Sequence, residues 1–460
     1  MKKKIVRKSK KADAKSVTLL ELVEKNYFTY GNEVIQNRVL SDFRDGLKPV
    51  QRRIIWAMSK AGFNSSKNYK KSARAVGDIL GKYHPHGDLS IYQAMAKLVH
   101  KGQPLIESVS NFGSYEDPPA AMRYTESRLN KFSEEFLLDS DYLAVVPMTP
   151  NYDGEYKEPL YLPSKLPYVL MNGNEGVAFA CATSIPSFSK ESVIALTKKA
   201  FKQRVTPQEC LDTLEFKYPW GGECNASDEA LLSFFESGKG TLQFIPSLKK
   251  ERRKIRILSH APGLKFPKVI SALQAIPEIS KVRDKREEDK IIVDIEYKAT
   301  KNSTPIIKKI ESILTTKPHF QIMSSKRINE EEAKFYYTTI PDLMEEWVKY
   351  RITLERKVLM RLRKIERGKL KKQNWLLFAL DNREEIIEAW KEKDPVQWLI
   401  DYFEIEEDQA TFTWRLQLNQ LSNLERRKLL SKIKIHKTEI RFLTGELKHL
   451  KLRILKQLEV

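Results

Sequence analysis

The sequence predicts an α+β fold, predominantly α, spread over two to four domains. Three observations predict it. From about residue 17, apolar residues recur at spacings of three and four, as in LLELVEKNYFTYGNEVI. Residues 191–335 mix strand-like runs (RRKIRIL, KIIVDIEY) with a helical one (IIKKIESIL) and read as a separate α/β domain. The last 125 residues carry a heptad seam, which argues for a long coiled coil.

Taken in order, residues 1–15 (MKKKIVRKSKKADAK) hold eight basic residues and one acid, a basic N-terminal tail. Between Arg38 and Lys82 there are eleven lysines and arginines against three acids. QRRIIWAM and LSIYQAMAKLV read there as short helices broken by Gly, Pro and Asn, the pattern of a helix-turn-helix type module. Pro118 and Pro119 stop any helix entering from upstream. Arg128, Leu129, Phe132 and Phe136 then read as helix, which puts Tyr124 near a helix start. Residues 140–190 read as loops with short strands such as VAFACATSI. Leu343, Trp347, Tyr350 and Leu354 begin one seam; Ile433, His436, Ile440, Leu443, Leu447, Leu450 and Ile454 form another. The stretch between, about 375–425, reads as a globular knob at the tip of an antiparallel helical hairpin. Residues 426–456 carry eleven basic and two acidic residues, a solvated face or the lining of a nucleic-acid passage.

Composition narrows the partners. The 460 residues exceed what one compact core usually holds. Lysine and arginine number 81 against 60 acids, a net +21 that favours nucleic acid first and an anionic membrane second. No apolar run approaches the roughly 20 residues of a membrane helix, and no apolar core follows the charged N-terminus as in a secretory signal. Cys181, Cys210 and Cys224 are few and widely spaced, which suits a reducing compartment.

Candidate chemistry is sparse. No GxxxxGK[ST] occurs, and SGKGT (237–241) lacks the upstream glycine of a phosphate loop. Asp139-Ser140-Asp141 has a spacing seen at metal sites but lies in a polar turn. His84-Pro85-His86, flanked by cations, suits phosphate better than a metal ion. In AAMRYTESRL (120–129), Tyr124 adjoins Arg123. A free phenol, with a pKa of about 10, is a poor nucleophile at neutral pH. A neighbouring guanidinium favours the phenolate and stabilises a phosphoryl group in transfer. On these ten residues alone, a packed aromatic and an activated nucleophile both remain open.

Several stretches together resemble the A subunit of bacterial type IIA DNA topoisomerases, gyrase and topoisomerase IV. They are VLSDFRDGLKPVQRR (39–53), KKSARAVGDILGKYHPHGD (70–88), NFGS (111–114), AAMRYTESRL (120–129), NYDG (151–154) and ATSIP (182–186). The likeness is strong over about 26–190, weak through the next domain, and returns in WRLQLNQLSNLE (414–425). It implies a winged-helix DNA breakage-reunion domain (26–155, after a tail at 1–25), a tower domain (156–335), and a coiled coil with a dimerisation knob at the C-gate (336–460).

The resemblance implies that Tyr124 attacks a DNA phosphodiester, leaving a 5′-phosphotyrosyl link, with Arg123 stabilising the transition state. By matching motifs, Arg38, Lys48, Arg52, Arg53, Lys70, Arg74, His84 and His86 contact backbone phosphates, and Ile185 wedges between base steps. Mg²⁺ and ATP belong to a partner B subunit, so the chain works in an A₂B₂ complex on double-stranded DNA, in the cytoplasm at the nucleoid. Details lean to topoisomerase IV: Gln51, EPLYLPSKLP, the absence of QRRGGKG, and a sequence that stops before any C-terminal β-pinwheel. Decatenation and relaxation are therefore expected, with a gyrase-type A subunit or a non-enzymatic DNA-architectural protein as alternatives. At the family's quinolone positions stand Leu89 and Gln93 instead of a serine and an acid, so reduced drug sensitivity is expected. The loop YEDPPA looks shortened.

Overall fold

The computed structural model describes residues 18–100, 102–114, 116–178, 181–286, 291–298, 303–329, 333–389, 391–416 and 426–459. The basic tail expected at residues 1–15 lies outside them, as does most of WRLQLNQLSNLE.

The chain opens with helix α1 (Leu19–Val34), which runs into a π-helical turn, Ile35–Val39. Next comes the buried turn of DGLKP. Gly46 takes φ +67°, and a Cβ there would stand 2.4 Å from the Val169 amide nitrogen, so only glycine fits. Asp45 organises the turn. Its carboxylate accepts from the Leu47 amide at 3.0 Å and from the Leu162 amide at 2.8 Å. Helix α2 (Pro49–Lys60) then starts with proline in its first turn, while the Lys48 amide donates to the Gln51 side chain at 3.0 Å. It buries Ile54, Ile55 and Met58 against helices α3 (Ser72–Lys82) and α4 (Asp88–Val99).

Three short strands complete this unit: β1 (Lys70–Lys71), β2 (Ile106–Ser108) and β3 (Glu126–Leu129), antiparallel in the order β1-β3-β2. Here the helical reading of Arg128 and Leu129 is corrected. Both lie in β3, where Ser127 and Leu129 face inward and Glu126 and Arg128 outward. Helix begins only at α5 (Lys131–Leu137), capped by Asn130.

After α6 (Ser140–Leu143), hairpin β4 (Met148–Pro150) and β5 (Lys157–Pro159), and α7 (Tyr168–Asn172), the described residues of VAFACATSI lie in the antiparallel strands β6 (Asn174–Ala178) and β7 (Cys181–Ile185). Asp139 of the DxD accepts from the Asp141 amide at 3.0 Å as the cap of α6 and pairs with Lys165 at 2.8 Å, a structural use of the carboxylate.

Helices α8 (Lys190–Lys202), α9 (Pro207–Thr213) and α10 (Asp228–Ser237) follow, with strands β8 (Glu223–Cys224), β9 (Lys239–Thr241) and β10 (Phe244–Ile245). RRKIRIL and KIIVDIEY become strands of an antiparallel sheet ordered β11-β12-β14-β13: β11 (Leu248–Glu251), β12 (Lys254–Ile257), β13 (Ile279–Asp284) and β14 (Val293–Tyr297). Helix α11 (Phe266–Gln274) precedes β13, and α12 (Thr304–Leu314), formed by IIKKIESIL, packs against α11. Strand β15 (His319–Gln321) joins β7 to β9 in a second four-stranded sheet, and β16 (Met323–Arg327) pairs with β17 (Ala333–Tyr337).

Helix α13 (Ile340–Asp381) has 42 residues. It extends through the first part of the expected knob, because its register carries on to a buried Ala379. The small helices α14 (Arg383–Ala389), α15 (Pro395–Phe403) and α16 (Glu407–Trp414) share a core of Ile386, Leu399 and Ala410 with its end. Helix α17 (Arg426–Lys448) returns antiparallel along α13: Arg426 meets Asp381, His436 meets Glu366, and Leu443 packs on Leu359. The seam holds, but the helix breaks at His449 before α18 (Leu450–Gln457), and Leu450 and Ile454 stay buried across the break. His436 satisfies its seam position by sharing a 2.7 Å hydrogen bond with Glu366. A buried polar node ties α18 to α13 and α6. Arg351 donates to Gln457 at 2.7 Å, Arg453 to Glu355 at 2.6 Å, and the Tyr142 hydroxyl to Glu355 at 2.5 Å.

Candidate active site

Tyr124 sits in a tight turn just before β3, not at a helix start. Its amide donates to Ala121 O at 2.9 Å. Helix α3 has no side-chain cap of its own, and its first amides serve this turn: Ser72 N–H donates to Thr125 O at 2.9 Å and Ala73 N–H to Met122 O at 3.1 Å. The Tyr92 hydroxyl of α4 donates to Ala120 O at 2.6 Å and lies 2.9 Å from the Thr125 hydroxyl. The backbone is thus braced from two helices, while the residue as a whole stays 63% exposed. A rigidly held yet exposed tyrosine is not explained by packing. The Arg123 guanidinium lies over the ring face, 4.6 Å from its centroid. Lys71, in strand β1, reaches the Tyr124 carbonyl at 3.4 Å and pairs with Glu126 at 3.0 Å.

The phosphate candidates divide into three groups. Arg38, on the π-helical turn, and Arg74, on α3, are exposed. Arg53, His84 and His86 form a second group. Arg53 holds Glu158 of β5 at 2.8–3.0 Å and lies 3.1 Å from His84 Nδ1, and the two imidazoles are 4.7 Å apart. Burial, then the charge of Arg53, push the His84 imidazole down to about 4. The ring is therefore neutral at pH 7. Because a guanidinium only donates, Nδ1 accepts, and the proton belongs on Nε2 as a donor.

The third group is engaged internally. Lys70 donates to Gly62 O at 2.8 Å and lies over the Phe63 ring, and Lys48 donates to Glu175 O at 2.6 Å. Arg52 departs from its expectation altogether. It is 4% exposed, with Nε 2.6 Å and Nη2 2.9 Å from the Asp45 carboxylate and a further bond to Leu47 O at 2.9 Å. In this conformation it holds the DGLKP turn rather than facing a ligand.

Ile185 ends β7 at 3% exposure, packed in the core and bordering a cavity of about 530 Å³. On the paired strand β6, Val177 is 82% exposed. Leu89, 64% exposed, and Gln93, also exposed, stand four residues apart on α4 and so share one face. Gln93 borders a cavity of about 530 Å³ that Lys48, Phe112, Glu116 and Trp220 also line. Among the described residues, no three His, Cys, Asp or Glu side chains converge as a metal-ligand set.

Sequence reasoning missed Tyr92, Glu158 and Glu116. Tyr92 occupies an inward position of an amphipathic helix, where its hydroxyl carries no separate signal. Glu158 and Glu116 act through partners about 105 and 150 residues distant, which spacing along one chain does not reveal.

A family model describing the A subunit of DNA gyrase/topoisomerase IV matches residues 38–459. The chain is 34% identical over 435 residues to the DNA topoisomerase 4 A subunit of Haemophilus influenzae, covering 89% of this chain and 57% of that relative. It is 34% identical over 431 residues to the DNA gyrase A subunit of Helicobacter pylori (88% and 51%), and 33% identical over 439 residues to the DNA topoisomerase 4 A subunit of Escherichia coli K12 (90% and 57%). The chain spans about half the length of the curated relatives it matches.

Proposed function

Because this chain belongs to the family of DNA gyrase and topoisomerase IV A subunits, we propose that it is the DNA-cleaving and rejoining subunit of a type IIA topoisomerase. One observation carries the reading: Tyr124 is exposed on a turn braced by two helices, with a guanidinium over its ring.

The Tyr124 oxygen attacks a backbone phosphorus. The Tyr–O–P bond forms, the P–O3′ bond breaks, the phenolic proton leaves, and the departing 3′-oxygen takes one up. Religation is the reverse exchange. Arg123 supplies positive charge where the phenolate and the phosphoryl oxygens develop negative charge. Arg38, Arg74, Arg53 and the His84 Nε2–H hold neighbouring phosphates, contacts that position DNA without reading its sequence. By its motif Ile185 is the apolar wedge, and Val177, exposed on the neighbouring strand β6, is a second side chain that suits insertion between base steps.

In this reading α2–α4 and their three-stranded sheet are a winged helix within 26–155. The sheets and helices of 156–335 are the tower, and 336–460 form the antiparallel coiled coil with its dimerisation module. A B subunit completes an A₂B₂ complex and contributes ATP binding and the Mg²⁺ carboxylates, and no step above is routed through a metal on this chain. Decatenation and relaxation are the expected activities.

The test is a cleavage assay on duplex DNA with Mg²⁺ and the cognate B subunit, comparing the wild type with Tyr124→Phe. Covalent 5′-adducts should form in the wild type alone. Adducts in both proteins, or in neither, would sink the assignment, and DNA bending without adducts would favour the architectural alternative.

A further inference from the structure

The loop that leads into the tyrosine turn is held from outside its own unit. Gly113 (φ +80°) starts it, and a Cβ there would stand 2.4 Å from Asp117 O, so the loop doubles back tightly. Ser114 closes it, its amide donating to Asp117 O at 3.1 Å and its hydroxyl to the Asp117 carboxylate at 2.7 Å. Two cavities, of about 530 and 200 Å³, flank these residues, so packing alone does not fix the loop's position. The Glu116 side chain does. One oxygen accepts from the Phe266 amide at 2.7 Å, and the other accepts from the Arg286 guanidinium.

Both partners belong to the unit built on the β11-β12-β14-β13 sheet. Phe266 is the first residue of α11, and the residue before it, Lys265, gives that helix no side-chain cap. Several other helix starts carry a local side-chain cap, as Asn130, Ser189, Thr206 and Ser227 do. Helix α11 takes its cap from Glu116, 150 residues away, where a carboxylate also meets the favourable end of the helix dipole. Arg286 is itself aimed: Asp284 holds it at 2.7 Å, and its guanidinium lies 4.5 Å from the Phe266 ring centroid. Tyr124 stands eight positions after Glu116.

We propose that Glu116 is a positioning residue for Tyr124: by capping α11 and pairing with Arg286, it sets where the tyrosine turn stands relative to the sheet unit. The inference rests on the cleavage reading above. A reacting group displaced by about 1 Å costs on the order of 100-fold in rate, so a loosened loop slows attack without releasing DNA.

The experiment uses the full chain with its B subunit, measuring covalent adduct formation and DNA affinity together, with Tyr124→Phe as the reference for the chemistry. Glu116→Ala and Arg286→Ala should each slow adduct formation by roughly tenfold or more while DNA affinity stays within about twofold. The double variant should lose little more than either single one. Glu116→Gln keeps one acceptor oxygen for the Phe266 amide but turns an NH2 toward Arg286. It should therefore keep the helix cap, lose the ion pair and slow adduct formation less than Glu116→Ala. It carries the test if Glu116→Ala fails to fold, and a wild-type rate there would reject the Arg286 contact. Wild-type rates in Glu116→Ala, or affinity falling in step with rate, would overturn the proposal. If the wild type forms no adduct, the cleavage reading fails first, and amide exchange decides the latch. Exchange across 116–124 must rise in Glu116→Ala, and unchanged exchange rejects it.

Discussion

Arg53 donates a hydrogen bond to His84 Nδ1 at 3.1 Å while Glu158 holds the rest of the same guanidinium at 2.8–3.0 Å. Burial and this guanidinium together keep the imidazole neutral, with its remaining N–H available to a phosphate, and the charge of Arg38 acts in the same direction.

That arrangement makes stability depend on acid. An unfolded histidine takes up a proton near pH 6.5, whereas His84 does so only near 4. Between those values the unfolded chain binds the extra proton, so the folded protein loses stability as pH falls from 6.5 to 4. The loss is about 2 kcal/mol once the ring's partial exposure is discounted. Urea denaturation at pH 7 and pH 5 should show the wild type losing more than His84→Gln. Equal losses would reject the pairing.

Arg52 and Arg74 should separate stability from binding. Asp45→Asn strands a buried guanidinium and should cost about 3–5 kcal/mol in unfolding free energy. Arg74→Ala should leave stability within about 0.5 kcal/mol and lower the slope of log affinity against log salt by about one. If Arg52→Ala folds normally and loses that slope instead, the two roles are reversed.

The β6–β7 pair gives a similar contrast. Ile185→Ala removes a core side chain and should cost about 2–4 kcal/mol. Val177→Ala should cost no more than about 0.5 kcal/mol yet weaken DNA bending, read by energy transfer across a labelled duplex. Unchanged bending would remove Val177 from the wedge role.

Leu89 and Gln93 lie on one exposed face of α4 and offer no hydroxyl or carboxylate. Leu89→Ser combined with Gln93→Glu should raise quinolone-trapped cleavage by roughly tenfold, as charge-assisted hydrogen bonds become available. Strong trapping in the wild type would contradict the premise.

Much of this was legible in the sequence because apolar spacing sets helices. Helices α2 and α4, the seam of α13 with α17, and the strands of RRKIRIL and KIIVDIEY all lie where their periods indicate. Strand β3 was not legible. Its inward positions include Ser127 beside the buried Thr125, satisfied by the hydroxyls of Ser72 and Tyr92, so no apolar alternation marks it. Arg52 and Arg53 are neighbours about 100° apart around α2, and only the fold shows that the first turns toward Asp45. Ile185 and Val177 are alike in type, and burial alone separates them. The Glu116 contacts depend on two segments that meet only after folding.

Helix α13 has a mechanical consequence. At 42 residues it is about 60 Å long. Its root is fixed by the Arg351–Glu355 node, and its far end carries the α14–α16 module. Over the roughly 40 Å from that node to Asp381, a tilt of about 5° at the root sweeps the far end through about 3.5 Å. Adjustments too small to disturb the packed root thus become steps as wide as a side chain at the opposite end.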